Sequence, residues 1–161
     1  MTDLLTELKA CANELARGAG PQALYEQVDR SVKALAGHTL FTLLIVVDGS
    51  HEVERIHTSH PVEYPLAGRK PMGPTPWGKH VIEDLQPWHG QTMADIRWAF
   101  PDHALIESLG CGSCINIPVI AFGKVIGTMN VLDREHAYDD MTVQDLSLFA
   151  PVLALPFARH L

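Results

Sequence analysis

The stretch Leu109–Asp133, LGCGSCINIPVIAFGKVIGTMNVLD, constrains the fold more than any other part of the chain. Two runs rich in β-branched and apolar residues, Cys114–Ile120 and Val125–Leu132, flank a short turn built on Gly123. That pattern predicts a β-hairpin. Pro118 lacks an N–H and suits a position whose amide points away from the ladder, and Gly127 removes a side chain where something must come close. Asn116, Thr128 and Asn130 interrupt otherwise apolar strands. A buried amide needs a partner, so these positions satisfy local backbone or face a ligand cavity. Loop length separates two registers. A three-residue loop, Phe122–Lys124, puts Asn116 opposite Asn130 on one face, with Cys114 and Thr128 on the same side. A two- or four-residue loop splits the asparagines between faces, because a one-residue slip inverts the alternation.

Upstream, Thr2 or Asp3 can cap a first helix whose residues Leu4, Leu8, Cys11 and Leu15 form one stripe. Pro21 opens a second helix to about Leu35, with Leu24, Val28, Val32 and Leu35 on one face and Gly37 closing it. Leu40–Val47 reads as a central strand, and Asp48-Gly49-Ser50 turns it into a second, Glu52–Thr58. Residues 60–78 are dense in proline and glycine, yet carry Tyr64, Leu66, Met72 and Trp77 to bury. They read as an ordered, lid-like loop. A helix from Trp77 to about Gln86 follows, and His103–Leu109 predicts another short one. Thr142-x-x-Asp145 reads as a variant capping box opening a last helix, apolar nearly all round and so buried on both faces. The sum is a one-sheet α+β domain.

The order Gly110, Ser113, Pro118, Gly123, Gly127, Asn130, followed by a polar loop and a closing helix, resembles the C-terminal half of a GAF domain. Leu40–Asp48 and Val53–Ser59 are similar to the first two GAF strands, Thr75–Gln86 to the short helix over the pocket, and Thr92–Ile96 to the strand or loop after it. The resemblance runs from roughly residue 20 to the end. It implies a profilin-like α+β fold over residues 1–161: a central antiparallel β-sheet, N- and C-terminal helices on one face, and a ligand pocket on the other. One enzymatic branch, the free methionine-R-sulfoxide reductases, is similar in the SxIxxP segment Ser113–Pro118 and the glycine hairpin. Its pattern places a cysteine before that serine and acids in the pocket. Here Leu105–Glu107 stands in the first region, Cys114 replaces a glutamate, and Asn130 and Leu132 stand where acids belong on the last strand.

Charge and composition exclude several classes. The formal net charge is −7, and no Lys/Arg cluster or Arg–aromatic stripe offsets it, so nucleic acid is not the expected partner. MTDLLTELKACANELARG has no basic n-region and is not a signal peptide, and no apolar run reaches the length of a membrane span. Three cysteines, an odd count, argue against a disulfide scaffold and for a reducing cytoplasm. No output domain follows Leu161, so a sensor of this form is expected to signal through a partner or an oligomer.

Cys111-Gly-Ser-Cys114 is a CxxC, fit for a redox pair or half a zinc site. It runs straight into a strand, where no helix dipole lowers a thiol pKa, and no second pair has matching spacing. Apolar packing is the plainer reading. The nine histidines show no HExxH or HxH spacing, so no metal is expected. The aromatic set is the better lead. Trp77, Trp88, Trp98 and Phe100 fall in the segment that walls the pocket in a GAF domain. They either stack on a planar ligand or close the core.

The resulting expectation is a stand-alone sensory module that binds a small neutral or polar molecule and acts as a homodimer, residues 1–17 lying at the dimer contact. Trp77, Trp88, Asp95, Trp98, Cys114, Asn116, Thr128 and Asn130 are the expected pocket residues. The family admits cyclic nucleotides and cysteine-linked bilins, but no arginine or phosphate loop demands a nucleotide, and no cofactor is expected. The alternatives are a thiol-dependent reductase using Cys111 and Cys114, and a dimerisation module whose cavity is filled by its own side chains.

Overall fold

The computed structural model describes residues 2–48 and 50–159. Two helices come first. Asp3 caps α1 (Leu4–Arg17) by accepting the Thr6 N–H at 2.9 Å, and α2 (Pro21–Ala36) starts on its proline and stops at Gly37, whose φ is +74°. A six-stranded antiparallel sheet follows in the order β3-β2-β1-β6-β5-β4, built from β1 (Leu40–Val46), β2 (Glu52–Thr58), β3 (Arg69–Pro71), β4 (Trp88–Gly90), β5 (Ser113–Ala121) and β6 (Lys124–Asp133).

Side chains alternate across this sheet and divide the core in two. Phe41, Leu43 and Ile45 of β1, Ile115 and Ile117 of β5 and Met129 and Val131 of β6 face α2 and the C-terminal helices. Leu40, Cys114 and Leu132 face the other way, under Tyr64, Trp77, Phe100 and Ile106. The terminal helices thus cover one face, and the lid segment with short helices α4 (Met93–Ala99) and α5 (His103–Ser108) roofs the other. This is the one-sheet α+β architecture expected from the sequence, with helices on one face of the sheet and a roof on the other.

Gly127 shows why a glycine stands in β6. A Cβ there would lie 2.5–2.6 Å from two carbons of the Phe157 ring and against the Leu44 carbonyl oxygen. The ring of the C-terminal helix rests directly on the strand backbone.

Local structure departs from expectation in three places. The segment after Trp77 is a single turn, α3 (Pro76–Gly78), widening into a π-helical turn at Lys79–Glu83, and it ends before Leu85, which has a φ of +56°. Thr92–Ile96 is neither strand nor loop. Thr92 and Asp95 form a reciprocal capping box that opens α4, and the edge strand β4 lies earlier. The C-terminal helix is two helices, α6 (Asp140–Ser147) and α7 (Ala150–Ala158), bent by 43° at their junction, with Pro151 in the first turn of the second. Its cap is Asp139, whose carboxylate accepts the Thr142 N–H at 2.8 Å, so Thr142 is a donor rather than the cap. No single helix among the described residues is long and apolar enough to cross a membrane.

Candidate functional site

The hairpin sets the floor of the roofed face. Its turn has two residues, Phe122 and Gly123, with φ of +50° and +81°, between the paired Ala121 and Lys124. Alone, that turn would split the asparagines. A β-bulge restores them: Ile120 pairs with Val125 but Val119 pairs with Gly127, leaving Ile126 as the extra residue. Asn116 therefore faces Asn130 directly. The register with a shared polar face is realised, through a bulge instead of a three-residue loop.

The paired amides form a relay. Trp77 donates its Nε1–H to Asn116 Oδ1 at 2.9 Å, Asn116 Nδ2 donates to Asn130 Oδ1 at 2.7 Å, and Asn130 Nδ2 donates to Thr42 Oγ1 at 3.2 Å. Each step satisfies a buried polar group that would be costly alone. Above the relay lies a hollow of about 40 Å³, walled by Leu40, Leu132, Phe100 and Ile106 besides Trp77. At about 10–15 Å³ for one water, it has room for roughly three water-sized groups.

Four of the expected residues meet there: Trp77, Cys114, Asn116 and Asn130 all line the hollow. The other four do not. Trp88 stands one layer back, edge-on to Phe100 at 5.7 Å, and Trp98 stacks on Trp88 at 6.1 Å and is itself 56 % exposed. Thr128 lies farther along the same face, opposite Pro118, buried with its Oγ1 unpartnered. Asp95 spends its carboxylate on the Gln91 and Thr92 N–H groups at 2.8 and 3.1 Å, as the reciprocal partner of Thr92 in the capping box of α4.

The hollow also holds side chains that sequence reasoning missed, chiefly Arg55, Lys70 and Asp102. Arg55 enters through a second bulge. Leu44 pairs with Arg55 and Leu43 with His57, so Ile56 is the extra residue. Arg55 thereby faces the hollow, while His57 turns to the helical side and meets Asp29 at 2.8 Å. The guanidinium lies over the Tyr64 ring at 4.9 Å and donates to the Pro65 carbonyl at 2.9 Å. The Tyr64 hydroxyl donates to Asp102 Oδ2 at 2.7 Å, and burial followed by that contact pushes its pKa well up. Lys70 comes from the edge strand β3 and holds its Nζ 5.5 Å from the Phe100 ring centroid; burial lowers its pKa. The only warning in the sequence is the alternation of Arg69 and Lys70 on a short strand.

The thiols suit packing better than chemistry. Cys111 and Cys114 are free and buried. Burial pushes the Cys111 thiol up to about 11 and the Cys114 thiol higher still. A neutral, enclosed thiol is a poor nucleophile.

The GAF domain family matches residues 22–155. No curated protein matches the chain. Solved structures share the fold. The GAF domain of a phosphoenolpyruvate-protein phosphotransferase from Coxiella burnetii superposes with a TM-score of 0.78 at 18% identity, over 97% of this chain and 93% of that one. The corresponding domain from Acinetobacter gives 0.78 at 12% identity, over 99% and 96%. The free methionine-R-sulfoxide reductase of Neisseria meningitidis, solved with its substrate, gives 0.74 at 19% identity, over 99% and 93%. At these identities the likeness is one of fold, and the family match over most of the chain decides membership: the protein belongs to the GAF domain family.

Proposed function

We propose that this GAF domain is a sensory module that binds a small molecule in the hollow above Asn116 and Asn130. The observation that carries the reading is the unfilled space of about 40 Å³ directly over a relay of buried amides. Protein interiors are close-packed and leave few voids larger than a water molecule, so unfilled space over a polar floor supports a ligand. The space is small, so the ligand has few heavy atoms or displaces part of the lid. Arg55 and Lys70 remove the basis for expecting a neutral one. The test is melting temperature against a library of small metabolites. A ligand that binds only the folded state raises it. No shift across a broad library would favour the dimerisation module with a self-filled cavity.

The same proposal has the domain act as a homodimer through its terminal helices. Leu15 of α1 and Leu155 of α7 line one surface groove with Leu24, and Leu155 is 60 % exposed. A second copy of the chain is the occupant we assign to it. Sedimentation equilibrium of the parent and of Leu155→Glu tests this: a dimer that the charge converts to monomer supports it, and a monomeric parent overturns it.

A further inference from the structure

The hollow carries more positive charge than its neighbours neutralise. Two cations line it, Arg55 and Lys70, against one carboxylate, Asp102, which already accepts from the Tyr64 hydroxyl. Adjacent Arg69 points outward and is paired, its Nε 2.8 Å from Glu54 Oε1. Lys70 has no such partner: among the described residues no carboxylate oxygen lies within 4.0 Å of its Nζ. The Arg55 Nε–H is buried and has no acceptor among the described residues. A buried donor without a partner is rare and costly, so the Arg55 Nε–H marks a place for a missing acceptor, beside the half-buried ammonium of Lys70. Leu40, Ile106 and Leu132 give the lining an apolar side opposite the paired amides of its floor, and the space admits only a few heavy atoms.

We propose that the hollow takes a short-chain monocarboxylate, its anionic end between Arg55 and Lys70 and its apolar part against Leu40, Ile106 and Leu132. This rests on the ligand-binding reading above and names the class of ligand. A single negative charge matches a surplus of one cation. A dianion such as phosphate would over-balance it in a half-apolar space. A guanidinium offers a carboxylate a fixed fork of donors, and the lysine adds a point charge. The floor amides are already paired with one another, so selection falls to the two cations.

The experiment is calorimetric titration and melting temperature at fixed ionic strength. Sodium formate and sodium acetate are the probes. Formamide, acetamide, sodium chloride and sodium phosphate are the controls. The expected result is saturable binding of the carboxylates and none of the amides or salts. Lys70→Met is expected to weaken binding on the order of tenfold or more, with Lys70→Arg retaining it. If Lys70→Met fails to fold, acetate against acetamide on the parent protein decides alone. Amide binding equal to carboxylate binding, full affinity in a folded Lys70→Met, or chloride or phosphate competing equally would each overturn the carboxylate assignment. So would silence towards carboxylates while another library member raises the melting temperature; the ligand-binding reading then stands. Silence towards every compound, whatever its charge, overturns both.

Discussion

Asn116 and Asn130 stand directly opposite each other on β5 and β6, with Asn116 Nδ2 2.7 Å from Asn130 Oδ1, although the turn joining their strands has only two residues. The bulge at Ile126 makes the meeting possible. It lets the hairpin keep a tight turn with both central φ angles positive, a shape that follows strand twist, and still put both amides under the roof.

That pairing is measurable. Asn116→Leu leaves the Trp77 Nε1–H and Asn130 Oδ1 without their partner in a buried place, and is expected to cost about 1–3 kcal/mol for each group left unsatisfied. Replacing both asparagines by leucine still strands the Trp77 Nε1–H but leaves neither amide without the other, and is expected to cost less than the two single changes together. Urea unfolding of the four proteins in the cycle checks this. A coupling within about 0.5 kcal/mol of zero would mean that the amides do not act as a pair.

Strand and helix positions were legible because hydrophobic period survives in the sequence: the two apolar runs around Gly123 are β5 and β6, and the Leu24, Val28, Val32 spacing is the buried face of α2. Thr92-x-x-Asp95 has the spacing of a capping box, and this local signal outranks the strand or loop implied by resemblance. Half the site was hidden for a different reason. A bulge is one uncounted residue, and it moves every side chain beyond it to the other face. Ile56 decides that Arg55 and His57 part company, and no property of Ile56 announces it. Lys70 reaches the hollow through β3, a three-residue edge strand inside a proline-rich segment where periodicity has no length to show itself.

Gly127 is expected to resist even a methyl group. Gly127→Ala would press a Cβ into the Phe157 ring and the Leu44 carbonyl. Overpacking of this kind costs about 1–3 kcal/mol, read as a lower melting temperature. Pairing it with Phe157→Leu removes the ring but not the carbonyl, so the expected rescue is partial: the double variant should lose less than the two single losses summed. Strict additivity would show that the ring contact is not what the glycine serves.

Acid should expose a different support. Asp29 of α2 bridges two buried histidines, with His38 Nε2 at 2.7 Å and His57 Nε2 at 2.8 Å. Burial pulls its carboxyl pKa upward, but the two histidine contacts outweigh it and hold the group at about 2, below its ordinary 3.8. A depressed carboxyl stabilises the fold above the unfolded pKa and loses that contribution as pH falls through the folded one. The stabilisation, on the order of 2 kcal/mol at one pKa unit per 1.36 kcal/mol, should therefore fade between about pH 4 and pH 2. Unfolding free energy against pH in Asp29→Asn should be flatter across this window than in the parent. Parallel curves would assign the acid limb elsewhere.

The cysteines offer the sharpest separation between sensor and reductase. Burial keeps Cys111 and Cys114 protonated at neutral pH, the first with a pKa of about 11. Thiolate, not thiol, attacks an electrophile, so iodoacetamide at pH 7 should label the native protein far more slowly than the same chain in urea, where all thiols are exposed. Labelling of Cys111 should accelerate as pH rises towards 11, if the fold survives. Mass spectrometry after timed quenching reads both rates. A native thiol at either position that reacts at pH 7 as fast as in the unfolded chain would reveal an activated nucleophile, and the thiol-dependent reductase would then displace the sensory reading of this domain.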